Sequence, residues 1–189
     1  MARPIAHDET LRRRLLDTAA SLIARDGAAS VSLRTIAATA GTSTTAVYSL
    51  FGGKAELLTA VLNDGFASFA ASQQEAAAGG LEALGRAYRT WALEHPILYG
   101  LMFAGPLAGQ VPCRPTPAAT EPSITPLFEA VAAALPEAAD HEIASIVGVV
   151  WGQVHGLVSL ELAGAPAAGW TWDAAYDAAI RQIGRSLGR

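Results

Sequence analysis

The chain has 189 residues, of which 51% are hydrophobic and 16% charged, with a formal net charge of −4 at pH 7. That composition buries a core and excludes a disordered chain, and no uninterrupted apolar run reaches the roughly 18 residues of a bilayer span, so a membrane partner is not expected. The single cysteine, Cys113, rules out an internal disulfide and any zinc site built from paired cysteines.

The opening residues, MARPIAHDETLRRR, contain arginines but no apolar core of a signal peptide, which makes the cytoplasm the expected compartment. Charge is distributed unevenly. Residues 1–60 hold seven basic and five acidic residues, a balance of +2, whereas the other 129 hold six and twelve, a balance of −6. Nucleic-acid binding, if present, belongs to the first third.

A first helix is predicted from Asp8 or Thr10, with Leu11, Leu15, Ala19, Leu22 and Ile23 at helical spacing and Gly27 as its stop. Arg12, Arg13 and Arg14 near its start read either as a solvated face or as phosphate contacts. Ser32 caps a second helix with Leu33, Ile36, Ala37 and Ala40 on its apolar side, and Gly41 breaks it. A third helix, capped by Thr42 or Ser43, runs to about Phe51 before Gly52 and Gly53 break the chain again. At about 100° per residue, Ala46, Val47, Leu50 and Phe51 share an arc of roughly 140°, and Thr44, Thr45, Tyr48 and Ser49 fill the opposite one. An outer face of hydroxyls in place of Glu and Lys is poorly explained by solvation. It suits a surface that meets hydrogen-bonding edges and phosphates. Two helices joined by so short a glycine-containing link cross steeply, as in a helix-turn-helix.

The string VSLRTIAATAGTSTTAVYSLFGGKAELLTAVL resembles the DNA-binding domain of the TetR (tetracycline-repressor-like) family of bacterial transcriptional regulators over roughly residues 10–62. Its marks are the Ile-Ala pair, the Ala-Gly turn, Tyr-x-x-Phe in the recognition helix and a lysine followed by Leu57 and Leu58. Gly52-Gly53 departs from the proline or serine of many members. The resemblance implies a recognition helix in the major groove, with Thr44, Thr45 and Ser49 on base edges or nearby phosphates and Tyr48 on the backbone. Lys54, the only lysine in the chain, would meet a phosphate at the start of the fourth helix. Arg34, Thr42 and Ser43 complete the expected DNA-binding set. Hydroxyls both give and accept hydrogen bonds, so no operator sequence follows from them.

A long fourth helix from Lys54 carries Leu58, Val61, Leu62 and Phe66 on one side and ends near Gly79-Gly80. A fifth covers residues 81–94, with Leu81, Leu84, Ala87, Tyr88 and Trp91 inward. His95-Pro96 marks a boundary before a short sixth helix, Pro96 to Phe103. Residues 104–122 hold five prolines and read as a loop. A seventh helix is predicted for residues 123–135, and an eighth from Asp140 shows Ile143, Ile146, Val147, Val150, Val154, Leu157 and Val158 as a broad apolar face. The last runs from Trp172 to Leu187 with Ala175, Tyr176, Ala179, Ile180 and Ile183 on one side. The expectation is an all-α chain of about nine helices: a helix-turn-helix domain, residues 1–53, and a helical ligand-binding and dimerisation domain, residues 54–189.

Residues 80–187 resemble the TetR-like subgroup marked by Trp-x-x-x-His-Gly, here Trp151, His155 and Gly156. That likeness implies a homodimer through the last two helices, which would join two half-sites of a near-palindromic operator in double-stranded DNA. Trp91, His95, Tyr99, Met102, Phe103, Trp151 and His155 combine aromatic bodies with polar tips, as a pocket for a small, mostly apolar effector requires. The same spacing also describes a plain core. The histidines lack cysteine or carboxylate partners at ligand spacing, so no metal is expected, and nothing calls for a cofactor. No nucleophile elbow or phosphate-cradling glycine loop points to an enzyme. The rival within nucleic-acid binding is an architectural protein without an effector, which the acidic body disfavours. Cys113 reads as an incidental loop cysteine or a redox-sensing thiol.

Overall fold

The computed structural model describes residues 5–103 and 113–187. Among these residues the chain is all-α, with nine α-helices and one 3-10 turn. It divides into two compact units, residues 1–66 with 97–119 and residues 67–96 with 120–189.

The first unit begins with α1 (Ile5–Asp26), α2 (Leu33–Thr39) and α3 (Thr44–Phe51). α1 starts a turn earlier than the expected Asp8 or Thr10, and Asp8 lies inside its first turn, where a carboxylate complements the exposed N–H groups. The two short helices are fixed at their ends. Ser32 Oγ accepts from Thr35 N at 3.1 Å and Ser43 Oγ accepts from Ala46 N at 3.2 Å, so of the two proposed caps for α3 it is Ser43 that serves. Gly41 at φ +66° and Gly52 at φ +92° take the backbone through conformations that L side chains avoid. With Gly41 in that conformation, Thr42 N donates back to Ala37 O at 2.9 Å and closes the end of α2.

α4 (Lys54–Ala76) follows at once. Leu15, Leu16, Ile36, Val47, Leu57, Leu58 and Val61, each at most 2% exposed, form the centre of the core under the helix-turn-helix. Burial on this scale stabilises by about 1.5–3 kcal/mol per large side chain. α6 (Pro96–Phe103) belongs to the same unit and lies close on α4 at Gly65, where an added Cβ would stand 2.8 Å from Met102 Sδ. Phe103 meets Phe66 edge-on at 5.9 Å.

In the second unit the rest of α4 passes through a 3-10 turn (Ala77–Gly79) into α5 (Gly80–Glu94), and α7 (Pro117–Ala134), α8 (Asp140–Leu162) and α9 (Trp172–Leu187) complete it. α5, α8 and α9 pack on one another. Tyr176 donates to Gly85 O at 2.8 Å, and Gly85 itself is crowded by Ile180, so α9 approaches α5 where a side chain would obstruct it. Arg89 binds Glu161 of α8 and Asp173 of α9, which ties all three helices with one guanidinium.

The reading of residues 104–122 as a loop needs correction. Residues 104–112 lie outside the described part, but α7 begins at Pro117 and contains Pro122 and Pro126. A proline at the first helical position loses only an N–H that would be unpaired anyway. Inside the helix, Ser123 Oγ donates to Thr120 O at 2.6 Å and Thr125 Oγ1 donates to Glu121 O at 2.9 Å, so side chains serve carbonyls beside the interruptions.

α8 packs its predicted stripe inward and carries apolar residues on its other side as well. Val147, Val150, Val154 and Val158, from the predicted stripe, are buried within the chain's own second unit. The opposite side, with Gly148, Val149, Gly152 and Leu160, is exposed. Apolar residues on both sides make this the one described helix that passes, by length and composition alone, as a membrane span, at a mean hydropathy of 1.6.

Candidate nucleic-acid interface and effector region

α3 presents its hydroxyl face outward. Tyr48 is 57% exposed, Thr45 and Ser49 are exposed, and Thr44 is half-buried, while Val47 beneath them is fully enclosed. The face is therefore free of packing duty apart from Thr44. Arg34 of α2 is exposed as well, Thr42 is half-buried, and Lys54 is half-buried at the first position of α4. Ser43 is exposed, but its oxygen is occupied as a cap, which leaves its hydroxyl hydrogen as the group it can offer.

The arginines of α1 separate into different roles. Arg13 makes two hydrogen bonds to Asp64 of α4, at 2.5 and 2.6 Å, and the bond to that carboxylate raises its pKa further above the ordinary value. It is an internal clamp between α1 and α4. Arg12 stands over the Phe51 ring, 5.4 Å from its centroid, and steadies the end of α3. Arg12 and Arg13 are thus more than a solvated face, while Arg14 is exposed, and sequence spacing alone did not show which carboxylate Arg13 would find.

Cys113 is 5% exposed and packs into the core of the first unit, and burial pushes its thiol pKa up. Cys113 does lie in an irregular segment before α7, as expected, but it is not incidental, because its side chain fills core volume. A redox sensor requires the reverse, an accessible and acidified thiol.

The seven residues expected to line an effector site fall into both units. Tyr99, Met102 and Phe103 are in the first, with Tyr99 tilted against Phe103 at 5.0 Å. Trp91, His95, Trp151 and His155 are in the second. Trp91 is 3% exposed, donates to Ser68 Oγ at 3.0 Å and stacks on His95 at 4.9 Å. His95 Nδ1 lies 2.9 Å from Trp91 O. His155 Nδ1 lies 2.9 Å from the Tyr88 hydroxyl, and desolvation holds the imidazole pKa below its ordinary value. Trp151 is 39% exposed and faces outward more than the others.

Sequence reasoning missed the residues that complete this cluster. Phe69 meets both Tyr88 and Trp91 edge-on, each at 5.2 Å, and Gln73 is buried one turn beyond it. The signal was present: Leu62, Phe66, Phe69 and Gln73 continue one helical stripe, and a glutamine on an apolar stripe marks a polar group placed inside.

A buried helix-turn-helix core with a free hydroxyl face on its second helix, followed by an all-helical body, is the arrangement of a helix-turn-helix regulator. Residues 15–61 match the tetR family of bacterial regulatory proteins, and residues 81–183 match the tetracyclin repressor-like C-terminal domain. The chain belongs to the TetR family of transcriptional regulators. It is 31% identical over 133 residues to the HTH-type transcriptional regulator Rv1816 of Mycobacterium tuberculosis, a stretch that covers 66% of this chain and 53% of that protein. The chain thus spans about half the length of the curated relatives it matches. Among solved structures it is similar to a regulatory-protein candidate, SCO4313, with a TM-score of 0.81 at 28% identity, covering 96% of this chain and 98% of the other. A protein of unknown function from Rhodococcus sp. RHA1 gives 0.74 at 29% identity, with coverages of 95% and 96%.

Proposed function

We propose that this chain is a dimeric repressor that binds a near-palindromic operator and is released by a small, mostly apolar ligand. The observation that carries the DNA part is the exposed, uncharged hydroxyl face of Thr45, Tyr48 and Ser49 on α3, flanked by Arg34 and Lys54. In this reading Thr44, Thr45 and Ser49 serve base edges or phosphates, Thr42 and Ser43 approach the backbone at the helix start, and Tyr48 and Lys54 hold phosphates. Residues 1–53 act as the reading head and residues 54–189 as the body. A protein with this role works where the DNA is, in the cytoplasm.

Dimerisation through α8 and α9 is supported by the open side of α8. A Cβ placed on Gly148, Gly152 or Gly156 would touch nothing within 4 Å in the protomer, and Val149 beside them is 70% exposed. Glycines one turn apart let two helices approach closely, and the exposed valine and Leu160 gain burial when they do. Trp151, His155 and Gly156 support assignment of the body to the Trp-x-x-x-His-Gly subgroup, with His155 held by Tyr88.

Release follows from α4, which carries Lys54 at one end and Phe69 at the other. A ligand in the body shifts the packing of α5 and α6 on α4, and the separation of the two heads changes. Ligand and operator then oppose each other reciprocally, by a coupling of about 1–3 kcal/mol.

The test is selection of bound fragments from a random DNA pool, followed by sequencing. A near-palindrome is the expected product, and a pool that enriches nothing would favour an architectural role. Titration of apolar compounds that bind the dimer should then weaken operator binding by about tenfold or more; unchanged affinity would remove the effector from the reading.

A further inference from the structure

Gln73 is 5% exposed, and its side-chain nitrogen has no hydrogen-bond partner among the described residues. Ser68 pairs with Trp91, and Phe69 meets Tyr88 and Trp91, so α4 and α5 run antiparallel here. One turn on from Phe69, Gln73 therefore lies at the level of Tyr88 and Leu84, both buried. A leucine or methionine would fill this position without leaving a polar atom unsatisfied.

We propose that the Gln73 amide is the polar anchor of the effector, donating from Nε2 to a neutral carbonyl oxygen on a small, otherwise apolar molecule that lies against Phe69, Tyr88 and Trp91. The proposal rests on the effector reading above and adds its chemistry. Neutrality follows from the charges nearby. Arg86 is held between Glu82 and Asp177, and Arg89 between Glu161 and Asp173, while Arg181 and Arg185 are exposed on α9. The His155 ring lies against the Tyr88 hydroxyl, where desolvation favours its neutral form. The two arginines of α5 are thus already paired with carboxylates, and the nearby imidazole leans toward neutrality. A ketone, ester or amide oxygen needs only the donor that Gln73 holds.

The experiment has two arms, both on the full chain. Thermal melts of Gln73→Leu and Gln73→Met without ligand are expected to match or exceed the parent, since the anchor is idle until an effector arrives. In the second arm, 2-octanone, octane and octanoate are titrated into 15N-labelled protein, and the Gln73 side-chain amide signals, assigned by their loss in Gln73→Leu, are followed. The ketone should shift them and bind roughly tenfold tighter than octane, and that preference should vanish in both variants. Lower melting of both variants would make Gln73 a structural residue and overturn the proposal. Equal binding of ketone and octane would overturn the donor role and leave an apolar effector standing. Preference for octanoate would overturn neutrality, and binding by none of the three would overturn the proposed class. The effector reading itself stands or falls separately, on the operator titration.

Discussion

At the scale of single residues, the proposed interface divides the outer face of α3 into readers and holders. Thr45→Ala removes one hydroxyl and one methyl from a position proposed to face bases, so preference should relax at one position in each half-site, as measured by repeating the pool selection. Tyr48→Phe removes a phosphate-directed hydroxyl and should weaken binding to all sequences alike. Parent-like behaviour of both variants would leave the face merely solvated. His155 gives a second prediction. Its folded pKa is depressed below 6.5, so the unfolded chain takes up the proton first as pH falls. The stability contributed by the neutral ring is complete above that value and is lost as pH drops toward the folded pKa. The urea midpoint should fall between about pH 7 and 5, and less so in His155→Gln; parallel profiles would locate the loss in other groups.

At the scale of elements, end signals were legible wherever a local hydrogen bond sets them. Ser32 before α2, Gly41 and Gly52 around α3, and Pro96 at the start of α6 stand where sequence logic put them. Such signals fail where longer-range terms decide. α7 extends over Pro122 and holds a buried Pro126, and no local rule shows that burial. The apolar stripe of α8 was also legible, but periodicity does not say whether a stripe packs within its own chain or against another. The effector residues were read as one group for the same reason, although Tyr99, Met102 and Phe103 pack with α4 in the first unit. Ser43 allows a test of an element's end. Ser43→Ala should lower stability by about 1 kcal/mol through loss of the cap, and Ser43→Asn should restore it. If Ser43→Asn melts like the parent but binds operator more weakly, the hydroxyl also meets DNA.

At the scale of the whole molecule, the proposed pairing is what would give selectivity, since one short α3 offers too few contacts for a selective site. Gly152→Leu tests the proposed seam. Its position is open in the protomer, so folding should survive, and replacing a mid-helix glycine favours the helix by about 0.5–1 kcal/mol. Sedimentation should nevertheless show monomer where the parent is dimeric, with operator binding lost in proportion. A Gly152→Leu protein that remains dimeric would move the interface off this face. Charge acts at the same scale: a head of +2 on a body of −6 implies that binding weakens as salt rises, with few phosphates neutralised in each half-site.

The two glycines that bound α3 have a consequence beyond folding. Gly41 and Gly52 turn the backbone into and out of the helix, Ser43 caps its start, Arg12 covers Phe51 at its end, and Val47 anchors it from below. Nothing on the outer arc apart from half-buried Thr44 is asked to hold the helix in place. Under the proposed role Thr45 and Ser49 can thus be exchanged as letters in a fixed type-holder, and a library randomised at those two positions should yield folded proteins with new operators.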